Sequence, residues 1–161
     1  MTPPKPSPQN QEPSTAVSRH IQRLLNSYRH WTGRELLERR GGPQAQAAAV
    51  DAAPFVLVSH GSEADPILNY GNRLALEMWE LDFASLTRMP SRLTAEPMHQ
   101  DERAQFMARV KRDGFVSGYQ GIRSSSSGRR FRIEEALIWN VLDEHATVCG
   151  QAASFSKWTR L

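Results

Sequence analysis

The sequence predicts an α+β domain, an antiparallel sheet with short helices on one face, preceded by an N-terminal amphipathic helix. Three observations lead there. Apolar residues between Ser14 and Trp31 recur at three- and four-residue spacing, the period of one helix face. Those of the last third fall into alternating runs separated by turn residues, the period of strands. Between the two come short segments opened by residues that cap helices. At 161 residues the chain has the size of one domain with an appendage.

The first 13 residues, MTPPKPSPQNQEP, carry five prolines and no large apolar side chain beyond Met1, so they read as a disordered tail. Residues 14–40 read as a helical segment. Val17, Ile21, Leu24, Leu25, Tyr28 and Trp31 share one face of its first helix. Thr32 with Glu35 has the form of a capping box that opens a second, short helix through Leu36 and Leu37. Residues 41–53, mostly Gly, Ala and Gln, have no apolar face of substance and read as a linker.

The core is then residues 54–161. FVLVS, between Pro54 and Gly61, is a strand, and DPILNYG adds a second short extended piece. Asn72 caps a helix carrying Leu74, Leu76, Met78 and Trp79, and Asp82 caps the next, which Pro90 stops. QDERAQFMARVKRDG opens acidic and closes on Lys111, Arg112 and Gly114, as a helix dipole and a glycine C-cap require. FVSGYQGIR, RRFRIEEALIWNVLDE and CGQAASFSKW read as three strands joined by hairpin loops. In the middle one the alternation puts Phe131, Ile133, Leu137, Trp139 and Val141 on the inner face. Ile138, Asn140 and Leu142 then fall on the outer face, and two apolar residues there imply a cover, either the Val17 to Trp31 helix or a second copy of the chain.

Composition excludes several classes. The net charge of +3 comes from 20 basic residues interleaved with 17 acidic ones, too small an excess to imply nucleic acid. Arg19, Arg23, Arg29 and the Arg129 to Arg132 group belong to no recognition motif, so nucleic acid is disfavoured as a partner. The single cysteine, Cys149, forms no intramolecular disulfide and fits a reducing compartment. No secretory signal and no apolar run of membrane length occurs, so the sequence predicts a cytoplasmic protein with no membrane contact. His20, His30, His60, His99 and His145 are scattered without i, i+4 pairs, and no metal site is predicted.

The stretches HGSEADPILNYGNRLALEMWEL, MPSRLTAEP, GYQGIRSSSSGRRFRIEEALIWNVLDE and GQAASFSKW resemble the MEKHLA domain, and NSYRHWTGREL resembles the family's leading helix. MEKHLA is a PAS-like family, met as a stand-alone bacterial protein and at the C-terminus of plant class III homeodomain leucine-zipper proteins. The resemblance covers residues 20–158. It implies a PAS-like fold that holds a small ligand between sheet and helices, or pairs with a second copy or a signalling protein through the sheet and the N-terminal helix. With no output domain attached, such a module acts in trans. No catalytic residue carries over.

Five residues are candidates for lining a ligand pocket: His60, Tyr70, Trp79, Arg92 and Trp139. His60 ends a strand beside Gly61 with Glu63 and Asp65 close in sequence; it reads as a ligand contact, or as a turn histidine bonded to its own backbone. Trp79 and Trp139 are expected to face one space between helices and sheet, as a ring stack or as plain core. Arg92 is either an anion contact or the partner of Glu96. Val17, Ile21, Leu24, Tyr28, Ile138 and Leu142 are the expected contacts of a homodimer. An alternative is a small enzyme with His60 as base, assisted by Tyr70 or Asp65. The cofactor stays unassigned: Cys149 lies outside the helical side, where a flavin-adduct cysteine is needed, and His99 is a weak haem signal. The SSSSGRR loop lacks the glycines and lysine of a phosphate loop.

Overall fold

The computed structural model describes residues 13–161, so the expected tail lies, except for Pro13, outside the described residues. Helix α1, Thr15–Thr32, is capped by Ser14, whose hydroxyl accepts from the Val17 amide, and ends at Gly33 in the left-handed region at φ 71°. The expected capping box at Thr32 does not open a helix. The Thr32 hydroxyl donates back to the Tyr28 carbonyl, so this threonine closes α1 and residues 33–42 are irregular. The expected linker is in part a helix, α2, Pro43–Asp51. Its small side chains let it lie close to α1, and Ala47 and Val50 are buried against it. Close approach replaces the broad apolar face that the sequence lacks.

Strands β1, Val56–Gly61, and β2, Leu68–Gly71, form an antiparallel pair. Helices α3, Arg73–Trp79, and α4, Phe83–Leu86, begin at the expected caps Asn72 and Asp82. Asn72 is fully buried: its side-chain oxygen accepts from the Leu57 and Ala75 amides while its nitrogen donates to the Val50 and Phe55 carbonyls. One amide thereby joins α2, β1 and α3. A 3-10 turn, Ser91–Thr94, leads into α5, Pro97–Asp113, and then come β3, Phe115–Ser124, β4, Arg130–Leu142, β5, Val148–Phe155, and β6, Lys157–Arg160. The sheet order is β2-β1-β5-β4-β3, with β6 on the first half of β4. The last expected strand is therefore two pieces, both antiparallel to β4.

Apolar side chains cover both faces of this sheet. On one face α1 and α2 bury Ile21, Leu24, Leu25 and Tyr28 against Leu57, Tyr70, Trp139 and Val141. The Trp139 indole donates to the Leu24 carbonyl and meets Tyr28 edge-on at 5.0 Å. The other face, under α3 and α5, carries Val56, Phe131, Ile133, Ala136, Ile138 and Phe155 with Trp79 and Val110.

The expected parity of β4 thus fails after Glu134, and the cause is local. Between Ile133 and Ala136 strand β4 advances three residues while β3 advances two, from Gly121 to Tyr119, and Glu135 lies in the left-handed region at φ 52°. This is a β-bulge, and one inserted residue moves every later side chain to the opposite face. Trp139 therefore faces α1, away from Trp79, while Ile138 and Asn140 face α5. A second bulge at Gly118, φ 72°, restores the pairing from the β3 side.

The expected dimer contacts are corrected by the same geometry. Ile21, Leu24 and Tyr28 are buried in their own chain with Val17 packed beside them, Ile138 lies in the opposite core, and Leu142 is tied to α1 by its amide, which donates to the Ser27 hydroxyl. The cover of the outer face is α1 itself.

Two outcomes follow from this packing. Glu135→Gly should leave stability unchanged or slightly raised, because glycine adopts this φ freely. Glu135→Val should cost about 1–2 kcal/mol in chemical denaturation, because a β-branched residue resists it. His20, bonded to the Ser59 hydroxyl under α1, has its pKa lowered from 6.5 to about 4, by burial first and by the Arg23 charge second. The unfolded chain therefore binds the proton more readily between these values, and stability should fall as pH drops from 6.5 to 4, by as much as about 3 kcal/mol. His20→Gln should remove that part of the slope.

Candidate functional site

Beneath α5 the packing is incomplete. A cavity of about 50 Å3 lies between helix and sheet, its apolar wall built by Trp79, Met107, Ile133, Ile138 and Phe155. Asn140 and Gln151, neighbours on β4 and β5, hold the helix over it. The Asn140 amide donates to the Val110 and Lys111 carbonyls at the C-terminal end of α5, and the Gln151 amide donates to the Met107 carbonyl. The Gln151 side-chain oxygen and the indole Nε1 of Trp79 are buried without a hydrogen-bond partner. Native interiors leave few such atoms, and water or a ligand is the usual complement.

Charge enters the same wall. Arg103, on the inner face of α5, and Arg123, on β3, line the cavity and are 9 % and 5 % exposed. Arg103 donates to the Ser91 hydroxyl at 2.8 Å, and Arg123 donates to the Ile122 carbonyl and to the Tyr119 hydroxyl at 3.2 Å. Among the described residues neither forms a salt bridge. Burial first, and then the charge of Arg123, lower the Arg103 pKa from 12.5 to about 10, which still leaves it charged at neutral pH. The two arginines also line an outer vestibule of about 190 Å3 with His99, Glu102, Tyr119 and Arg132.

Of the expected pocket residues, His60 and Trp79 are in the cavity wall. His60 Nδ1 lies 2.8 Å from the Gly61 carbonyl, which can only accept, so the proton sits on Nδ1 and Nε2 is left as an acceptor. Burial lowers its pKa, against the Gly61 bond that raises it, and the ring is neutral at neutral pH. Trp79 is placed by the SSSSG loop, residues 124–128. Glu80 ends α3 in the left-handed region, and its carboxylate accepts from the hydroxyls of Ser125 and Ser127 while Ser126 donates to the Trp79 carbonyl. Those serines are occupied with Glu80.

The other three are elsewhere. Trp139 and Tyr70 belong to the α1 face, where burial raises the Tyr70 pKa. Arg92 pairs with Asp65 at 3.3 Å on the surface, and Glu96 pairs with Arg130 at 2.7 Å instead. His60, Tyr70 and Asp65 are therefore not assembled as an acid-base set. Cys149 packs on the α1 face, and a cavity of 50 Å3 is well below the ~300 Å3 at which pockets for drug-sized molecules begin. A flavin does not fit these residues. Among the described residues no three His, Cys, Asp or Glu side chains gather as a metal-ligand set. A larger concavity, about 1030 Å3, is an open groove beside α1 bridged by the exposed pair Arg23–Glu144, and it buries no charge.

Sequence reading missed Arg103, Arg123 and Gln151. A signal existed for Arg103: it precedes Phe106, Met107 and Val110 by three, four and seven residues, so it stands on the buried stripe of α5. The other two needed the sheet register.

Comparison with known proteins agrees with this architecture. The chain is 14 % identical to a crystallised PAS domain from Colwellia psychrerythraea, with a TM-score of 0.58 over 68 % of this chain and 92 % of that one. An RNA-binding light-oxygen-voltage receptor gives 15 % and 0.59 over 78 % of this chain and 35 % of that one. A light-oxygen-voltage domain studied with a flavin analogue gives 12 % and 0.57 over 73 % and 84 %. These show the PAS-like fold. In sequence the chain is 23 % identical over 145 residues to the homeobox-leucine zipper protein ATHB-9 of Arabidopsis thaliana, covering 84 % of this chain but only 17 % of that protein's length. The sequence profile of the MEKHLA domain matches residues 18–160, nearly the whole of the described fold, and the chain belongs to the MEKHLA domain family.

Proposed function

We propose that this chain is a sensory module that binds a small molecule beneath α5 and passes the event to a protein partner in trans. The observation that carries this reading is the cavity itself, where the unpartnered Trp79 Nε1 and Gln151 oxygen share a wall with the apolar side chains and the two buried arginines. A void left by poor packing is apolar throughout; polar atoms without partners belong to a site that something else completes. A ligand there touches α5 on one side and the sheet on the other. Because Asn140 and Gln151 tie the helix to the sheet at the cavity's edge, a change in occupancy alters the same contacts that hold α5 in place.

A reducing, cytoplasmic setting suits this role, with Cys149 a free thiol and no described helix long and apolar enough to cross a membrane. The enzyme alternative loses its support, since the residues proposed to assist His60 lie elsewhere.

Native mass spectrometry of protein purified without added ligand should show a small retained mass that Ile138→Trp, which fills the cavity, abolishes. A bare chain mass, together with an Ile138→Trp variant simply more stable than wild type, would mean a packing void and defeat the reading.

A further inference from the structure

We propose that the ligand is a small organic carboxylate, its anionic group held by Arg103 and Arg123 at the inner end of the vestibule and its apolar part in the cavity under α5. This deepens the sensory reading above and rests on it. Two buried guanidinium groups line the same cavity and the same vestibule, Arg103 within reach of the Arg123 charge, and among the described residues no carboxylate forms a salt bridge with either. Burying an ion without its counter-ion costs several kcal/mol, and two like charges together cost more. A chain that folds despite this leaves a place for an anion. Glu102 lines the vestibule, but it is exposed and beyond salt-bridge reach of both arginines.

The donors converge as an anion requires. Arg103 spends one nitrogen on Ser91, and Arg123 gives two contacts to Ile122 and Tyr119, so each keeps N–H groups for a ligand. Because the Tyr119 oxygen accepts from Arg123, its own hydrogen is free to be donated. His99 adds a further group at the rim: its Nε2 is buried and unpartnered. A guanidinium fork matches the two oxygens of a carboxylate.

The organic part follows from what lies behind the arginines. The same two side chains border the polar vestibule of about 190 Å3 and the inner cavity of about 50 Å3, whose wall is Trp79, Ile133, Ile138 and Phe155. An inorganic anion would use the arginines and leave that apolar space unfilled. An acid with a short aliphatic tail uses both, and the volumes confine it to a few carbons.

Calorimetric titration of the full chain with acetate, propionate, butyrate, butyramide and inorganic phosphate tests the assignment. Affinity should rise from acetate to butyrate, with butyramide weaker by about tenfold or more, since a charge-assisted bond is lost. Arg103→Met and Arg123→Met should each weaken butyrate by a similar factor. Both should also melt no lower than wild type without ligand, because each removes an unpaired buried charge. Equal binding of butyrate and butyramide overturns the anion assignment and leaves the sensory reading standing. Phosphate binding with no gain along the acid series makes it an inorganic anion site and overturns the carboxylate. If no probe binds and both Met variants are strongly destabilised, the arginines are structural, and a bare mass in the native spectrum then fells the sensory reading as well.

Discussion

At Glu135 the backbone of β4 turns into the left-handed region, takes in one residue more than its neighbour β3, and delivers every following side chain to the opposite face of the sheet. What the two faces hold depends on this. Ile138 and Asn140 come to lie under α5, where one lines the cavity and the other anchors the helix. Trp139 goes to α1, where its ring and its indole N–H fix the N-terminal helix on the sheet. Without the bulge a tryptophan would occupy the space in which the cavity lies, and α1 would have lost its largest partner.

The two faces differ in what they bury, although α1 also holds one unpartnered polar atom, the buried Ser18 Oγ. Under α1 and α2 the packing is dense and aromatic, and polar groups such as His20, Ser59 and Asn69 bond to one another. Under α5 the apolar core is interrupted by a cavity, two arginines, a neutral histidine and unpartnered polar atoms. Under the proposed reading this contrast is a division of labour: one face supplies stability, and the other gives up part of it to keep a site open. α5 suits that second role, because side-chain amides from the sheet supply its contacts at the cavity's edge, where a neighbouring helix would offer broad apolar area.

Much of the fold was legible. The i, i+3, i+4 stripe of α1, the caps Asn72 and Asp82, the Gly114 stop and the sheet meander all follow from local rules that hold here. α2 was not, because its burial comes from close approach of alanines to α1, a tertiary effect that leaves no apolar stripe. The bulge was not either. The EE pair in FRIEEALIW continues an alternation without a break, and only the pairing of β3 through Gly118 and Gly121 shows that one glutamate is extra. That single slip explains why Trp139 and Ile138 were exchanged, and with them the expected pocket and the expected dimer face. His60 and Trp79 were found because they precede the bulge in the chain and sit on elements with clear ends. Arg103 and Arg123 stayed hidden because arginine is ordinarily a surface residue.

In this chain the proposed site lies on the inner face, while α1, which the resemblance offered for pairing, is occupied in closing its own sheet. The most direct measurement is a set of methyl-aromatic NOEs on isoleucine-labelled protein. With the faces divided at Glu135, Ile138 should show contacts to cavity residues such as Trp79 and Phe155 and none to Tyr28, while Trp139 contacts Tyr28 and Leu24. Contacts from Ile138 to Tyr28, with Trp139 beside Trp79, would mean an unbroken strand and contradict the account.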